Sequence, residues 1–140
     1  MVVLYVLALL CVDDKVLLLR RSNASFGQGL YSLVGGKVEN NERALHALQR
    51  EIREEIALDI PEDAFKLVHT FHRNGTDNNL IALCFIADIS AMPMPKNNEP
   101  NKHDDMQFFK ISELPSNIIP AHKQAIEYIQ QQIGYSEHGW

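Results

Sequence analysis

Residues 36–58 read GKVENNERALHALQREIREEIAL and predict a long amphipathic helix. From about Asn41 to Leu58 the stretch contains no Gly or Pro and is rich in Ala, Leu, Glu and Arg, which favour helices. Its apolar residues recur at helical spacing and form one face, made of Ala44, Leu45, Leu48, Ile52 and Ile56. We expect this face to pack on a core, with Asn40 or Asn41 capping the helix and Glu42 in its first turn.

Three carboxylates gather on a neighbouring face of the same helix. Glu51, Glu54 and Glu55 stand at positions i, i+3 and i+4, so they project within about 100° of one another. Like charges at this spacing repel, and Arg50 and Arg53 do not obviously neutralise them. One interpretation is a solvated charged edge, the usual meaning of a charge run. The other is a site for Mg²⁺ or Mn²⁺, which proteins hold with carboxylates together with substrate phosphates.

The spacing of the polar residues in this stretch resembles the Nudix box. The pattern is Gly36, five residues, Glu42, seven residues, Arg50-Glu51-Ile52, one residue, Glu54-Glu55, one residue, Ala57-Leu58. Ala57 stands where the box has Gly, and because that Gly closes the helix we expect an altered helix end. Upstream, Val34 occupies a place that Nudix proteins often fill with Pro.

The resemblance implies a role for the charged residues and the glycines of the box. Glu51, Glu54 and Glu55 would hold a metal ion, and Glu51 would act as ligand or general base. Arg50 would form an ion pair with Glu42 that orients the helix and the preceding loop. The Gly35-Gly36 pair would let the backbone approach the metal and phosphates, with the Gly35 carbonyl group as a further ligand, although a plain turn explains the two glycines equally well.

Residues 97–115, NNEPNKHDDMQFFKISELP, extend the resemblance to MutT-type Nudix hydrolases. The family often recruits another acidic side chain from a distant loop, and the candidates here are Glu99, Asp104 and Asp105. We assign Glu99 to the metal site and Asp105 to substrate binding, and a solvated loop charge is the alternative for each. Phe108 is assigned to stacking on a base, with a core aromatic as its alternative.

The final segment, YSEHGW at 135–140, resembles the tail of a bacterial Nudix subfamily. Trp140 and Tyr135 could anchor this tail on its own domain or on a second subunit, so the sequence is compatible with a monomer or a homodimer.

The length and composition predict a single domain that covers residues 1–140. The chain has 140 residues, is 46% hydrophobic and carries a net charge of −5, with a pI near 5.6. This charge argues against duplex nucleic acid as a partner and is compatible with a small phosphorylated substrate. Cys11 and Cys84 lie in apolar runs and are predicted to be buried free thiols.

The apolar N-terminal run ends at Asp13-Asp14 after 12 residues, which is too short to span a membrane, and it is interpreted as a buried strand. Because no targeting signal is visible, we expect a cytoplasmic protein without a membrane partner.

Hairpins and helices alternate along the chain. Strands are predicted at 2–12, 15–21, near 30–34, 65–73, 80–89 and 106–111, and a second helix at 119–133. NGTDNN at 74–79 is a strong turn signal, and 91–105 is predicted to be a loop. The hairpins argue for a mixed sheet, and the Nudix resemblance implies an α/β/α sandwich.

The function implied by the resemblance is metal-dependent hydrolysis of a phosphoanhydride. A nucleoside triphosphate, cleaved to monophosphate and pyrophosphate, is the expected substrate, because 64–81 lacks the Pro or Tyr that often marks other Nudix substrates. ADP-ribose or a nucleotide sugar is the alternative substrate. A nucleotide-binding regulator without catalysis, and a structural protein with an acidic helix, are the competing classes.

Overall fold

A computed structural model describes residues 1–76 and 78–140, and within them the chain forms eight strands and two α-helices. The first half contains β1 (Val2–Val12), β2 (Lys15–Arg21), β3 (Tyr31–Ser32), β4 (Val34–Lys37) and α1 (Ala44–Ile56). The second half contains β5 (Lys66–Asn74), β6 (Asn79–Asp88), β7 (His103–Lys110), α2 (Pro120–Gln130) and β8 (Tyr135–His138). Short 3₁₀ turns occupy Glu62–Ala64 and Ile111–Glu113.

All eight strands belong to one mixed sheet. The main path runs β3-β2-β1-β6-β5-β8, with β4 also pairing β1 and β7 also pairing β2. The β1–β6 and β5–β8 pairs are parallel, and the other pairs are antiparallel. Next to the turn at Asp13-Asp14, β1 pairs β2 for only two residues, and β4 then pairs with β1 over Tyr5–Ala8. Because β1 changes its partner from β2 to β4 along its length, β4 lies in the middle of the sheet.

The two helices cover opposite faces of this sheet. Because side chains alternate along a strand, Val6 and Leu10 of β1 pack in the cluster that contains α1 residues. Leu7 and Leu9 point the other way and pack in the cluster that contains α2 residues. The predicted α/β/α sandwich with a mixed sheet is therefore confirmed.

Helix α1 is shorter at both ends than the prediction of 41–58. Asn41 has a left-handed backbone with φ of 61°, so the helix cannot begin there. The N-cap residue is Arg43, which makes no side-chain capping bond, and neither Asn40 nor Asn41 caps the helix. Glu42 lies before the N-cap rather than in the first turn of the helix. Its carboxylate accepts from the Glu39 N–H at 3.0 Å. At the other end Ala57 adopts φ of 55° and closes the helix.

Gly35 and Gly36 lie inside strand β4, not in a turn after a strand at 30–34. Gly35 pairs with Leu7 of β1, and a Cβ atom on it would come within 2.1 Å of the Val6 carbonyl oxygen. Its φ of 152° is also unusual for a residue with a side chain. Only glycine therefore lets β4 lie this close to β1.

Three other elements differ from the sequence prediction. Strand β7 begins at His103 rather than at 106, and α2 ends at Gln130, three residues before the predicted end. Left-handed Gln132, with φ of 60°, prevents a longer helix. Strand β8 was not predicted, and it docks the tail against β5 of its own domain. The β5–β6 hairpin is confirmed, but its predicted turn at 74–79 includes Asp77, which lies outside the described residues.

Both cysteines are free thiols, as predicted. Cys84 is buried, and burial raises its thiol pKa to about 12. Cys11 is only partly buried, because it lies near the end of β1, and burial together with the charge of Asp88 raises its pKa to about 11. None of the helices in the described part of the chain is long and apolar enough to cross a membrane.

Candidate active site

Arg50 of α1 connects the acidic residues of the box. Its Nε and Nη2 atoms donate to both oxygens of Glu42 at 2.7 and 3.0 Å, which confirms the predicted ion pair. Its Nη1 donates to Glu51 at 3.0 Å and reaches Glu54 at 3.4 Å, and Nη2 also donates to the Lys37 carbonyl group at 3.1 Å. Hydrogen bonds from Arg50 and the Glu39 backbone lower the Glu42 pKa to about 2. One guanidinium group thus holds the helix, the loop before it and the end of β4 together.

The three box glutamates differ sharply in burial. Glu55 is only 7% exposed, and burial raises its pKa well above the usual range, while one hydrogen bond from the Gly35 N–H at 3.2 Å opposes this rise. Burial also raises the pKa of Glu51, partly offset by its hydrogen bond with Arg50. The Glu54 side chain is 50% exposed. Two carboxylates therefore face the protein interior, and the third faces solvent.

Strand β4 borders these carboxylates through its glycines. A Cβ atom on Gly36 would lie 2.4 Å from Oε1 of Glu51, so the absence of a side chain there makes room for this carboxylate. Gly35 faces Glu55 through its N–H group. The two glycines therefore allow α1 to pack closely against β4.

Glu99 is the one distant acidic candidate that the structure brings to the box. The chain before it is tied to the end of α1, where the Asn98 N–H donates to the Glu55 carbonyl at 2.9 Å and the Lys96 N–H to that of Ile56 at 3.1 Å. The negative charge of Glu99 also contributes to the raised pKa values of Glu51 and Glu55.

Asp104, Asp105 and Phe108 lie on β7 and do not join this group. Asp104 pairs with Arg20 at 2.7 Å. Asp105 accepts hydrogen bonds from Tyr31 and, at 2.8 Å, from Gln107. Phe108 packs against the core under α1, which agrees with its alternative interpretation as a core aromatic. None of the three lines the cavity described next.

A cavity of about 700 Å³ opens beside Glu55. Gly35, Gly36 and Glu55 line one part of it. The remaining wall comes from distant parts of the chain and includes Arg21, Phe26, Phe71, Arg73, His122 and His138. One carboxylate, two arginines and aromatic rings around the same cavity suit a ligand that carries both phosphates and an uncharged ring.

Arg21 and His122 were not predicted as site residues. Arg21 and Glu55 line the same cavity, and the positive charge of Arg21 opposes the rise in the Glu55 pKa. Nδ1 of His122 accepts a hydrogen bond from the Leu33 N–H at 3.1 Å. A backbone N–H can only donate, so the proton of the neutral ring is on Nε2. Burial, and then the charges of Arg21 and Arg73, lower the His122 pKa to about 3, which keeps the ring neutral.

No group of three or more His, Cys, Asp or Glu side chains converges at metal-binding distance within residues 1–76 and 78–140. The donor set nevertheless fits a hard divalent cation. Glu51 and Glu55 offer carboxylate oxygens that burial and mutual repulsion leave poorly stabilised, and Glu99 adds a third negative charge beside them. Arg50 supplies the only direct side-chain ion pair of Glu51 in the described part of the chain.

Known proteins resemble this chain in sequence and in fold. The NUDIX domain family model matches residues 1–132. The chain is 29% identical to an ADP-ribose pyrophosphatase of Methanocaldococcus jannaschii over 123 residues, which is 87% of this chain and 70% of that protein. It is 43% identical to the CTP pyrophosphohydrolase of Escherichia coli over 63 residues, 45% of this chain and 47% of that protein.

Among solved structures, a MutT NUDIX hydrolase from Burkholderia pseudomallei has a similar fold. It superposes with a TM-score of 0.81 at 25% identity, covering 91% of this chain and 97% of that one. The match to the family model spans the box, strands β1 to β7 and both helices. The chain therefore belongs to the Nudix family and is a phosphoanhydride hydrolase.

Proposed function

We propose that the protein hydrolyses a nucleoside diphosphate-linked substrate, with a nucleoside triphosphate, cleaved to monophosphate and pyrophosphate, as the leading candidate. The single observation that carries this proposal is the placement of Glu55. It is a buried carboxylate at one end of a cavity that also contains cationic side chains and aromatic rings. A cavity of about 700 Å³ can hold a nucleotide, since ligand sites typically measure about 300–1,000 Å³.

Nudix hydrolases generally use a divalent metal, and Mg²⁺, with Mn²⁺ as a substitute, is the ion proposed here. The residues that would hold it are Glu51, Glu54, Glu55, Glu99 and the Gly35 carbonyl group. When bound, the metal would neutralise phosphate charge and lower the pKa of a coordinated water.

The protein's own residues supply positioning. Arg50, through its bonds to Glu42 and Glu51, keeps the acidic edge of α1 in one orientation relative to β4. Glu51 is proposed as a metal ligand or as the general base, and burial raises its pKa, partly offset by Arg50. Arg21 and Arg73 line the cavity and are placed to attract phosphates.

ADP-ribose is the second candidate substrate. It is favoured by the 29% identity, over 87% of this chain, to a protein named as an ADP-ribose pyrophosphatase. The other named relative acts on CTP. Adenine and cytosine both carry an exocyclic amino group, so the two candidates share a feature that the cavity could recognise.

A substrate panel tests the proposal. The protein would be incubated with the common nucleoside triphosphates, ADP-ribose, nucleotide sugars and dinucleoside polyphosphates, with and without Mg²⁺. Metal-dependent release of pyrophosphate from a triphosphate supports the leading candidate, and release of AMP and ribose phosphate from ADP-ribose supports the second. Binding of nucleotides without hydrolysis would indicate the regulator, and neither binding nor hydrolysis would overturn the enzymatic proposal.

Two variants test the proposed ligands. Glu54→Gln and Glu55→Gln each remove one carboxylate charge without changing size, and each should lower metal-dependent turnover by on the order of 100-fold. Glu113→Gln, on an exposed turn away from the cavity, is the control and should retain wild-type turnover. Full activity in Glu54→Gln would remove that residue from the ligand set.

A further inference from the structure

The C-terminal segment 135–140 forms part of the cavity wall. Strand β8 pairs in parallel with β5, with Phe71 opposite Ser136 and Arg73 opposite His138. Gly139 then crosses the end of β5 so closely that a Cβ atom on it would lie 2.2 Å from the Asn74 carbonyl oxygen. His138 and Gly139 both line the cavity.

The tail is held in place by contacts beyond the strand pairing. The Trp140 indole Nε1–H donates to the His72 carbonyl group at 3.4 Å, and its ring lies 4.9 Å from the His72 ring in an edge arrangement. The Asn74 side chain donates to the Gly139 carbonyl group at 3.3 Å. His138 is thereby fixed in position at the cavity.

A chain of hydrogen bonds also determines which nitrogen of His138 carries a proton. Nδ1 of buried His69 lies 2.7 Å from the Ile133 carbonyl oxygen, which can only accept, so this nitrogen donates. An imidazole with its one proton on Nδ1 has an acceptor at Nε2, so this nitrogen accepts from the Ser136 hydroxyl at 2.8 Å.

The Ser136 hydroxyl has one proton, and His69 receives it. The hydroxyl oxygen must therefore accept from Nε2 of His138, which lies 3.0 Å away. The remaining nitrogen of His138, Nδ1, then carries a lone pair. Burial, as the main cause, lowers the His138 pKa, which also favours a neutral ring.

We propose that His138 is a specificity-determining residue, whose Nδ1 accepts a hydrogen bond from the exocyclic amino group of a substrate base. The Phe71 ring, 5.4 Å from that of His138 in an edge arrangement, forms the apolar wall beside it. A base with a carbonyl oxygen at the same place would set two acceptors against each other and leave the Nδ1 lone pair unmatched. Discrimination by one such contact is typically about 10- to 100-fold, the cost of one unsatisfied buried polar group.

This inference rests on the proposed function, because it names the part of the nucleotide that the cavity selects. Two substrate pairs isolate the amino group. CTP and UTP differ at one exocyclic position, and so do ATP and ITP. We expect the wild-type protein to prefer the amino member of at least one pair through a lower KM, with kcat changed less than threefold.

The variants His138→Asn and His138→Leu have similar shapes but differ in polarity. Asn offers an acceptor oxygen at the position of Nδ1, so it should retain part of the preference, whereas Leu should reduce the KM ratio to near one. Glu137→Ala, at an exposed position of the same strand, should keep the full preference. Trp140 is the only tryptophan of the chain, so its fluorescence verifies that the tail remains docked in each variant.

Binding of the corresponding monophosphates separates this inference from the proposed function. Calorimetric titration of CMP against UMP, and of AMP against IMP, needs no hydrolysis and no metal. If the protein cleaves none of the substrates but binds the amino members more tightly in a His138-dependent manner, the proposed function fails and the inference stands. Equal KM and Kd ratios in the wild type and in His138→Leu, with the tail docked, would overturn the inference.

Discussion

Glu55 shows how a single side chain couples stability to function. The wild-type protein buries a carboxylate with one backbone N–H as its hydrogen-bond donor. Burial of a charge without a full set of partners costs free energy, which a bound cation would recover. The residue is thus better suited to binding a ligand than to stabilising the fold.

Replacing Glu55 with Gln should stabilise the metal-free protein while lowering its metal-dependent turnover. The substitution keeps the side-chain volume and removes the buried charge, so the free energy of unfolding at pH 8 should rise by on the order of 1 kcal/mol. Urea denaturation in the presence of a chelator measures this. Glu54→Gln is the control, because half-exposed Glu54 gains little from neutralisation. A less stable Glu55→Gln protein would contradict the explanation.

His122 should give the protein a characteristic acid sensitivity. Its pKa is lowered from 6.5 to about 3 in the folded protein, so below pH 6.5 the unfolded chain binds a proton that the folded protein does not. Stability should therefore fall with decreasing pH, by at most about 1.4 kcal/mol per pH unit between 6.5 and 3.

His122→Asn provides the comparison for this pH dependence. The Asn side-chain oxygen can accept the hydrogen bond from the Leu33 N–H, but the side chain does not titrate. Urea unfolding of both proteins at pH 7, 6 and 5 should show a difference in stability that changes with pH. Parallel pH profiles would show that the ring is readily protonated in the folded protein.

At the scale of single elements, helix α1 ends in a strained backbone conformation at Ala57. Ala57 occupies the left-handed region that favours glycine, where the Nudix box has that residue. Ala57→Gly should raise the free energy of unfolding by about 0.5–1 kcal/mol, because relief of the strain exceeds the added freedom of the unfolded chain. Ala121→Gly inside α2 should act in the opposite direction. Thermal unfolding of both variants tests the pair, and a destabilised Ala57→Gly protein would contradict it.

Strand β4 contributes space as well as hydrogen bonds. A methyl group in Gly36→Ala would meet the mobile end of Glu51 rather than backbone, so it should displace that carboxylate at little cost in stability. We expect turnover to fall at least about tenfold, with a change in melting temperature close to that of Gly134→Ala, where nothing lies within 4 Å of an added Cβ. Unchanged turnover would show that Glu51 tolerates another position.

Sequence patterns predicted most helices and strands, because residues close together in the chain determine where these elements form. The periodicity of α1, the hairpin at Asp13-Asp14 and the β5–β6 pair all depend on neighbouring residues, and each formed within a few positions of its prediction. Strand β8 was missed because its four residues become a strand only by pairing with distant β5. The resemblance to the Nudix box implied the Arg50–Glu42 ion pair, whereas the approach of His122 to Leu33, 89 residues apart, required the fold.

At the scale of the whole molecule, one sheet separates two hydrophobic cores. Leu17 and Leu18 are adjacent on β2 and fully buried on opposite faces, one in each core. Leu17→Ala and Leu18→Ala should each lower the free energy of unfolding by about 2–5 kcal/mol. Because both cores share the sheet, circular dichroism and Trp140 fluorescence should still report a single coincident transition. Separate transitions in either variant would show that the two faces unfold independently.

The position of β8 at the margin of the sheet has a further consequence. Without Tyr135–His138, β5 would present nine residues of unpaired backbone along its outer side. An exposed sheet edge of this kind is a template for strand addition between molecules and hence for aggregation. The short tail pairs with Thr70–Arg73 and so covers part of that edge, and with its exposed, charged Glu137 it offers only a brief stretch for self-association.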